Sequence, residues 1–550
     1  MTSPNQPKPT YRAIGWLLAV PALLGTLITL VLPTAQTIWF SLQSGGVFKE
    51  STFVGTANYL KLLGDELFWQ ALGFTFSLTV IPLLVAVVVG PLLALALDRA
   101  GTWPRRAGRI VLSLAIVTFS PVGVAAAWLY WLTPDASGVS ALAEGLRAPD
   151  TAPGVLRLIV AAATFGVVCA LAVTAFLPAL RGGTVRPAMF VVGALVALAT
   201  VAVGLQTFSI GLVLTRGGPE RSTETLAGLQ FDYAFRLAKF GSGASVAALT
   251  GVILGVLGVA ATLIAVLSRM RITLTRASAP SGSVPPGAVP PSGSASAGSS
   301  RQPTAAGVVV GVSALVIFVA AGALLAWPWI FGVLTSPGTA AAGLQTQVNT
   351  WVPAVAGAFV SVGVAYLAAL GIGGLRPLGR GSEWLLLLFA PWLFVSTGPL
   401  GVANWQNMRN LGLINTFVAL FPPLLVSVPA LFVLTLLCKG LAERNGRDFF
   451  SGVVMPSLPM AGILTGAVAL VNAQDLLWPL LIAQEPAMFT APLAQMNQLG
   501  GYATGAPDVG AATPLLVVAV ALVAVVAAQV LYLDRLAVTT NGSRSRTPAA

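Results

Sequence analysis

The 550-residue chain contains no histidine, which excludes Ser-His-Asp and Cys-His catalysis and histidine-ligated metal sites together. Its two cysteines, Cys169 and Cys438, are too few for a disulfide framework or a four-cysteine zinc site. Charge is scarce as well: 8% of residues are Asp, Glu, Lys or Arg, where soluble domains carry roughly a quarter. No lysine follows a glycine, so the Gly-Lys-Ser/Thr phosphate loop of an ATPase is missing. What the chain has in quantity is apolar. Hydrophobic residues make up 56% of it and mean hydropathy is +0.88, which rules out both a large soluble enzyme and a disordered chain. The excess of 29 Lys+Arg over 17 Asp+Glu is too dilute and scattered for a nucleic-acid partner.

A membrane-spanning helix takes about 20 apolar residues. Twelve stretches qualify: roughly 14–40, 70–97, 110–132, 157–180, 188–214 and 244–268, then 306–334, 350–374, 384–404, 413–438, 453–474 and 511–533. The expected fold class is therefore an all-α polytopic membrane protein of about twelve transmembrane helices. With the N-terminus inside, roughly two thirds of the 29 basic residues but fewer than a third of the 17 acids fall on the cytoplasmic side, the asymmetry that sets membrane orientation. Both termini are expected in the cytoplasm of a multi-pass plasma-membrane protein. The first apolar run is longer than the roughly 7–15 residues of a secretory signal core, so it reads as an uncleaved anchor.

Between Arg276 and Thr304 the composition turns to Ser, Pro, Gly and Ala, a flexible linker. The expected organisation is a first half over 1–268, a cytoplasmic linker over 269–305, a second half over 306–533 and a tail over 534–550. Six spans per half make the halves parallel repeats. Gln206, Pro219, Thr225 and Leu226 in the first half are echoed by Gln474, Pro486, Thr490 and Leu493 in the second. The spans are almost free of ionisable groups, which proton-coupled transporters and embedded enzymes keep at membrane depth. Asp475 and Arg157 sit at span edges, where snorkelling makes them cheap.

The stretch Phe53-Val54-Gly55-Thr56-Ala57-Asn58-Tyr59-Leu60, followed by Asp65, Phe68-Trp69 and Thr75, resembles the outer-loop motif of binding-protein-dependent ABC sugar importer permeases of the maltose and glycerol-phosphate type. Leu214-Thr215-Arg216-Gly217-Gly218-Pro219 and Ser222-Thr223-Glu224-Thr225-Leu226 resemble a second signature of the same family. In the second half Asn349-Thr350, Leu411-Gly412-Leu413-Ile414-Asn415-Thr416, Asp475-Leu476-Leu477-Trp478-Pro479 and Thr490-Ala491-Pro492-Leu493 are similar to the partner permease. The resemblance implies two permease subunits fused in one chain with the type I ABC importer permease fold. It implies a carbohydrate or related solute as cargo and membrane lipid as surroundings. Its protein partners would be a cassette ATPase dimer and an extracytoplasmic solute-binding lipoprotein. No cofactor is expected in this chain, since the partner hydrolyses the ATP.

The family's cytoplasmic coupling motif, a Glu-Ala-Ala followed by Gly, is degenerate here. The first half has only the short Arg181-Gly182-Gly183-Thr184-Val185-Arg186-Pro187, and the second keeps Glu443, Gly446 and Phe450 without the Ala-Ala pair. Arg181, Gly182, Gly183, Glu443, Gly446 and Phe450 are the coupling candidates, with unequal coupling expected of the two loops. Candidates for the substrate pathway are Gln206, Thr207, Phe208, Asn472, Gln474 and Asp475, polar and aromatic groups of the kind that recognise sugars. The alternative for the amides is glue between helices. Asn58, Tyr59, Gly217, Gly218 and Pro219 are the candidates for docking the binding protein. Trp39, Trp69, Trp131, Trp351 and Trp405 fit an interfacial aromatic belt, and Pro121, Pro391, Pro422 and Pro423 are expected to kink spans. The rival reading is a major-facilitator-type secondary transporter, suggested by Asp98-Arg99-Ala100-Gly101 and Arg105-Arg106.

Overall fold

A computed structural model of the chain describes residues 9–46, 49–132, 140–182, 185–275, 304–335, 343–444, 448–500 and 510–540. Most of the expected linker, together with Gly183 and Gly446, lies outside the described residues. The protein is all-α and polytopic. Among the described residues nine helices are long and apolar enough to cross a membrane, or ten if one bent pair counts as a span. In chain order the principal helices begin with α1 (Arg12–Ser41), α2 (Glu66–Arg99), α3 (Thr102–Thr118), α4 (Pro121–Trp131) and α5 (Ala152–Ala179). Next come α6 (Val185–Leu214), α7 (Phe240–Leu267), α8 (Ala305–Leu325), α9 (Trp327–Thr335) and α10 (Leu344–Leu375). The last are α11 (Gly401–Asn410), α12 (Val428–Arg444), α13 (Phe450–Ala473) and α14 (Leu515–Arg535).

The expectation of twelve helical spans meets its differences at the prolines. Pro121 lacks an N–H, so α3 stops at Thr118 and the chain turns by 81° into α4. Ser120 starts the new helix by accepting from the Gly123 N–H. The expected span 384–404 is not one helix. It runs as 3-10 turns over Gly379–Leu388 and Ala390–Trp392, then an open stretch, then α11. The expected span 413–438 has a short 3-10 run over Phe417–Leu420 and becomes α-helical only at Val428, beyond Pro422 and Pro423.

The halves are interleaved. In each, the second long span packs against its own fourth and fifth: α2 against α5 and α6, α10 against α12 and α13. Each half's first span crosses to the other, α1 onto α10 and α8 onto α2. Both crossings are made by glycine. Gly371 of α10 faces the backbone of Gly15 with no room for a Cβ, and Gly311 of α8 presses on Ala96 and Ala100. Small residues let helix backbones approach where lipid supplies no hydrophobic drive.

At one end of the bundle, rich in arginine, two strands tie the halves together. β3 (Arg271–Leu274), after α7, pairs antiparallel with β4 (Leu536–Thr539), after α14; β1 (Gln43–Gly46) and β2 (Lys49–Phe53) form a hairpin after α1 at the opposite end. The β3–β4 ribbon covers the ends of both fourth spans: Gly182 lies under the Val538 carbonyl and Gly440 under that of Ile272. Asp534 gathers Arg181 at 2.8 Å and Arg105 at 3.3 Å, with Arg106 and Arg109 just beyond. Glu443 holds Arg271 at 2.5 Å and Arg376 at 3.0 Å.

The repeat suggested by Thr225 and Leu226 against Thr490 and Leu493 is built at atomic level, with Ala491 rather than Leu493 standing opposite Leu226. Thr75 of α2 accepts the Leu226 N–H at 3.0 Å, and Thr350 of α10 accepts the Ala491 N–H at 2.8 Å. Each hydroxyl donates in turn to the carbonyl four residues back. Thr75→Val keeps the shape but leaves a buried N–H unpaired, so it is expected to destabilise the protein by about 1–3 kcal/mol. Thr350→Val is expected to act alike, and Thr75→Ser to restore stability, in denaturant unfolding of the detergent-solubilised chain.

Candidate functional site

Two of the long spans come undone at matching places. In α6 the N–H groups of Gln206 and Thr207 bond three residues back, to Val203 and Gly204; after α13 those of Gln474 and Asp475 do the same, to Val471 and Asn472. Such breaks free polar groups at depth, and a small cavity of about 100 Å³ lies between them. Gln206, Phe208 and Ser209 line it from the first half, as does Gln230 of the short helix Leu226–Phe231; Ser396–Pro399 and Asp475 line it from the second.

The polar side chains here bridge the halves. The Gln206 amide donates to the Ala202 and Phe394 carbonyls at 2.9 and 2.8 Å and accepts from the Ser396 N–H and hydroxyl at 2.9 and 2.6 Å. Gln230 donates to the Gly398 carbonyl at 2.7 Å. Asp475 accepts from the Leu477 N–H at 3.0 Å and the Thr397 hydroxyl at 3.3 Å. A cavity of this size has room for a few water molecules.

Of the six substrate-pathway candidates, Gln206, Phe208 and Asp475 come together. Thr207 is half-buried beside the cavity but does not line it. Asn472 donates to the Ala354 carbonyl, and Gln474 to that of Ala512, both within the second half. The residue matching of Gln206 with Gln474 thus does not extend to what the two side chains do. Gln230, Ser396 and Thr397 were not foreseen. Ser396 and Thr397 fall inside an expected helical span, where Pro391 and the Gly398-Pro399 pair were the signals that this span opens.

A run of rings leads from the cavity to the opposite end. Phe208 meets Phe231 at 5.4 Å between ring centres, Phe231 meets Phe235 at 5.9 Å, Phe235 meets Trp405 at 5.7 Å and Trp405 meets Phe240 at 5.4 Å. Phe240 borders a second cleft of about 270 Å³ with Gln406, Arg409 and Asn410. Trp405 is therefore not a belt residue: its indole donates to the Leu481 carbonyl inside the protein and Arg409 lies over its face. Trp39 and Trp69 are exposed, as a belt requires.

The docking candidates fasten the loops at the end opposite the arginine-rich one. Asn58 donates to the Ser41 and Gln43 carbonyls at 2.8 Å each, and the Tyr59 hydroxyl is 2.5 Å from that of Ser41. Gly217 has φ +84°, and a Cβ there would lie 2.5 Å from a Glu224 carboxylate oxygen. Gly218 and Pro219 complete that turn, whose carbonyls accept from Thr223 and Ser222. Among the coupling candidates, Arg181 and Glu443 are held by the ion pairs described above, whereas Phe450 stands 59% exposed at the start of α13. Beside it Asp448 accepts from the Ser451 hydroxyl, which holds its carboxyl below the usual range.

No protein-family model matches the chain. A trehalose transport system permease protein of Mycobacterium tuberculosis is 29% identical over 147 residues, 26% of this chain and 45% of that protein. A trehalose/maltose transport system permease protein of Thermococcus litoralis is 33% identical over 86 residues, 16% of this chain and 29% of that protein. An sn-glycerol-3-phosphate transport system permease protein of Escherichia coli is 28% identical over 136 residues, 23% of this chain and 43% of that protein. The chain is related to sugar-transport permeases. It spans less than half the length of each relative it matches.

Glu224 gives the outer loop a pH response. Burial pushes its carboxyl up to about 7, Asp232 adds to the rise, and Arg221 opposes it. A carboxyl raised in the folded state stabilises fully below its unfolded value of 4.5 and loses that contribution as pH climbs through 7. The melting temperature is thus expected to fall between pH 5 and 8, and Glu224→Gln to flatten that fall.

Proposed function

We propose that the chain is the permease of a binding-protein-dependent ABC importer that moves a carbohydrate or related solute across the plasma membrane. The observation that carries this reading is the polar cavity between the halves, joined by a run of aromatic rings to a cleft at the opposite end. Sugars bind through amide and carboxylate hydrogen bonds against apolar faces, and Gln206, Gln230 and Asp475 beside Phe208 supply both. The relatives are permease components, which supports this reading over a major-facilitator-type secondary transporter.

On this reading the chain is no enzyme and carries no cofactor. Residues 1–268 and 306–533 are two permease halves of the type I fold joined by the linker 269–305, with 534–550 as the tail. The arginine-rich end and both termini lie in the cytoplasm, in keeping with the distribution of basic residues. A separate cassette ATPase dimer powers transport, and an extracytoplasmic binding lipoprotein delivers the solute to the cleft near Asn58, Tyr59 and the Gly217–Pro219 turn. Coupling is unequal. Arg181 and Gly182 sit beneath the ribbon and its ion pairs, with Gly183 next in the chain, while Phe450 near Glu443 and Gly446 is open to a partner.

The test is co-purification and uptake. The intact chain, expressed with its neighbouring genes, is expected to bring down a cassette ATPase and to take up labelled trehalose, maltose or glycerol 3-phosphate. Gln206→Leu and Trp405→Ala are expected to lower uptake about tenfold or more, the cost of one or two lost contacts in a desolvated site. Removing 443–448 is expected to release the ATPase. Uptake driven by a proton gradient in proteoliposomes of this chain alone would overturn the proposal.

A further inference from the structure

A cavity of about 840 Å³ lies away from the polar pocket, between α3, α5, α8 and α14. That volume falls within the roughly 300–1,000 Å³ of sites that bury small molecules. Its walls are apolar, formed by residues such as Leu114, Gly166, Phe318 and Val518. Polar atoms gather at one end only, opposite the arginine-rich end: Trp329 of α9, Gln347 at the start of α10 and Thr513 just before α14. Gln347 is already engaged, donating to the Ala511 carbonyl and accepting from the Trp351 indole. Among the described residues the buried Trp329 Nε1 and Thr513 Oγ1 find no hydrogen-bond partner, and Thr513 is only 8% exposed. An indole N–H can only donate and a threonine hydroxyl can donate, so both groups call for an acceptor.

The matching place in the other half is filled. There α7, the counterpart of α14, packs on the 3-10 turn Ala390–Trp392 through Gly258, which has no room for a Cβ beneath the Ala390 carbonyl, and through Gly255, where an added Cβ would lie 3.6 Å from that of Pro391. The helical run Leu515–Ala527 of α14 contains no glycine, so its branched side chains hold it away from its neighbours. Together with α8 it buries the smallest share of any span. The medium beside the cavity is therefore bilayer rather than protein.

We propose that this cavity holds one glycerolipid, its acyl chain along the apolar walls and an ester carbonyl accepting from Trp329 and Thr513. A glycerolipid carries its ester oxygens where the acyl chains begin, which matches a site apolar along its length and polar at one end. The full chain is solubilised from membranes, washed extensively in detergent and examined by native mass spectrometry, then offered vesicles of palmitoyl-oleoyl phosphatidylglycerol. One retained glycerolipid per chain is expected. Gly322 lines the cavity and a Cβ there meets nothing within 4 Å, so Gly322→Leu fills the space without disturbing the fold. It is expected to lower retention at least tenfold with an unchanged melting temperature. Thr513→Val is expected to weaken retention about three- to tenfold, the loss of one hydrogen bond. Val316→Leu, on an exposed face of α8, is expected to leave retention unchanged. The proposal is overturned if Gly322→Leu keeps the same lipid, or if only detergent, free fatty acid or a protein partner occupies the wild-type chain.

Discussion

Within a bilayer no water reaches the backbone, so every N–H and C=O must find a partner inside the protein. That constraint organises this molecule. Its irregular segments, the breaks in α6 and after α13, the open chain over 393–400 and the turns and short 3-10 run over 411–427, are tolerated because protein encloses them. Side chains close the gaps. Gln206 and Gln230 bind the backbone of the open segment 394–398, Asn415 accepts the N–H groups of Gln484 and Glu485, and Trp478 donates to the Ala419 carbonyl. The pocket between the halves is the residue of this closure, a place where freed backbone and amide side chains meet with room left over.

The same requirement explains why the halves interleave. A half that kept its first span to itself would present its broken segments to lipid. Crossing α1 to α10 and α8 to α2 wraps each half in a helix of the other, and the glycine contacts at Gly15, Gly371 and Gly311 bring the backbones close enough to seal. The β3–β4 ribbon completes the closure at the arginine-rich end, with Asp534 and Glu443 drawing basic residues from both halves around it. The Asp534 pairs with Arg105 and Arg181 are mostly buried, so removing one partner would leave a poorly compensated charge, whereas the more exposed Glu443 pairs contribute little.

The repeat is not symmetric in its consequences. Thr75 and Thr350 do the same work, but Gln206 reaches across the interface while Gln474 turns back into its own half. Gly255 and Gly258 close one flank, and the glycine-free start of α14 leaves the other open.

Much of this was legible in the chain because hydropathy acts locally. Runs of apolar residues determine that helices cross a membrane, and the outer-loop motifs around Asn58, Glu224 and Asn415 mark where loops fold back and bond. Gln206, Phe208 and Asp475 could be picked out as polar or aromatic groups beside span ends. The partners of those residues could not. An apolar run satisfies the spanning criterion whether or not it stays helical, so 384–404 looked like a span until Pro391 and Pro399 met the interface and the segment opened. Trp405 looked like a belt residue for the same reason, since distance from a span end does not say which way a ring points. Composition and local order determined the class and its likeness to sugar-transport permeases; long-range packing alone decided which helices exchange, where the chain unwinds and which polar atoms face one another, because those depend on contacts between residues hundreds of positions apart.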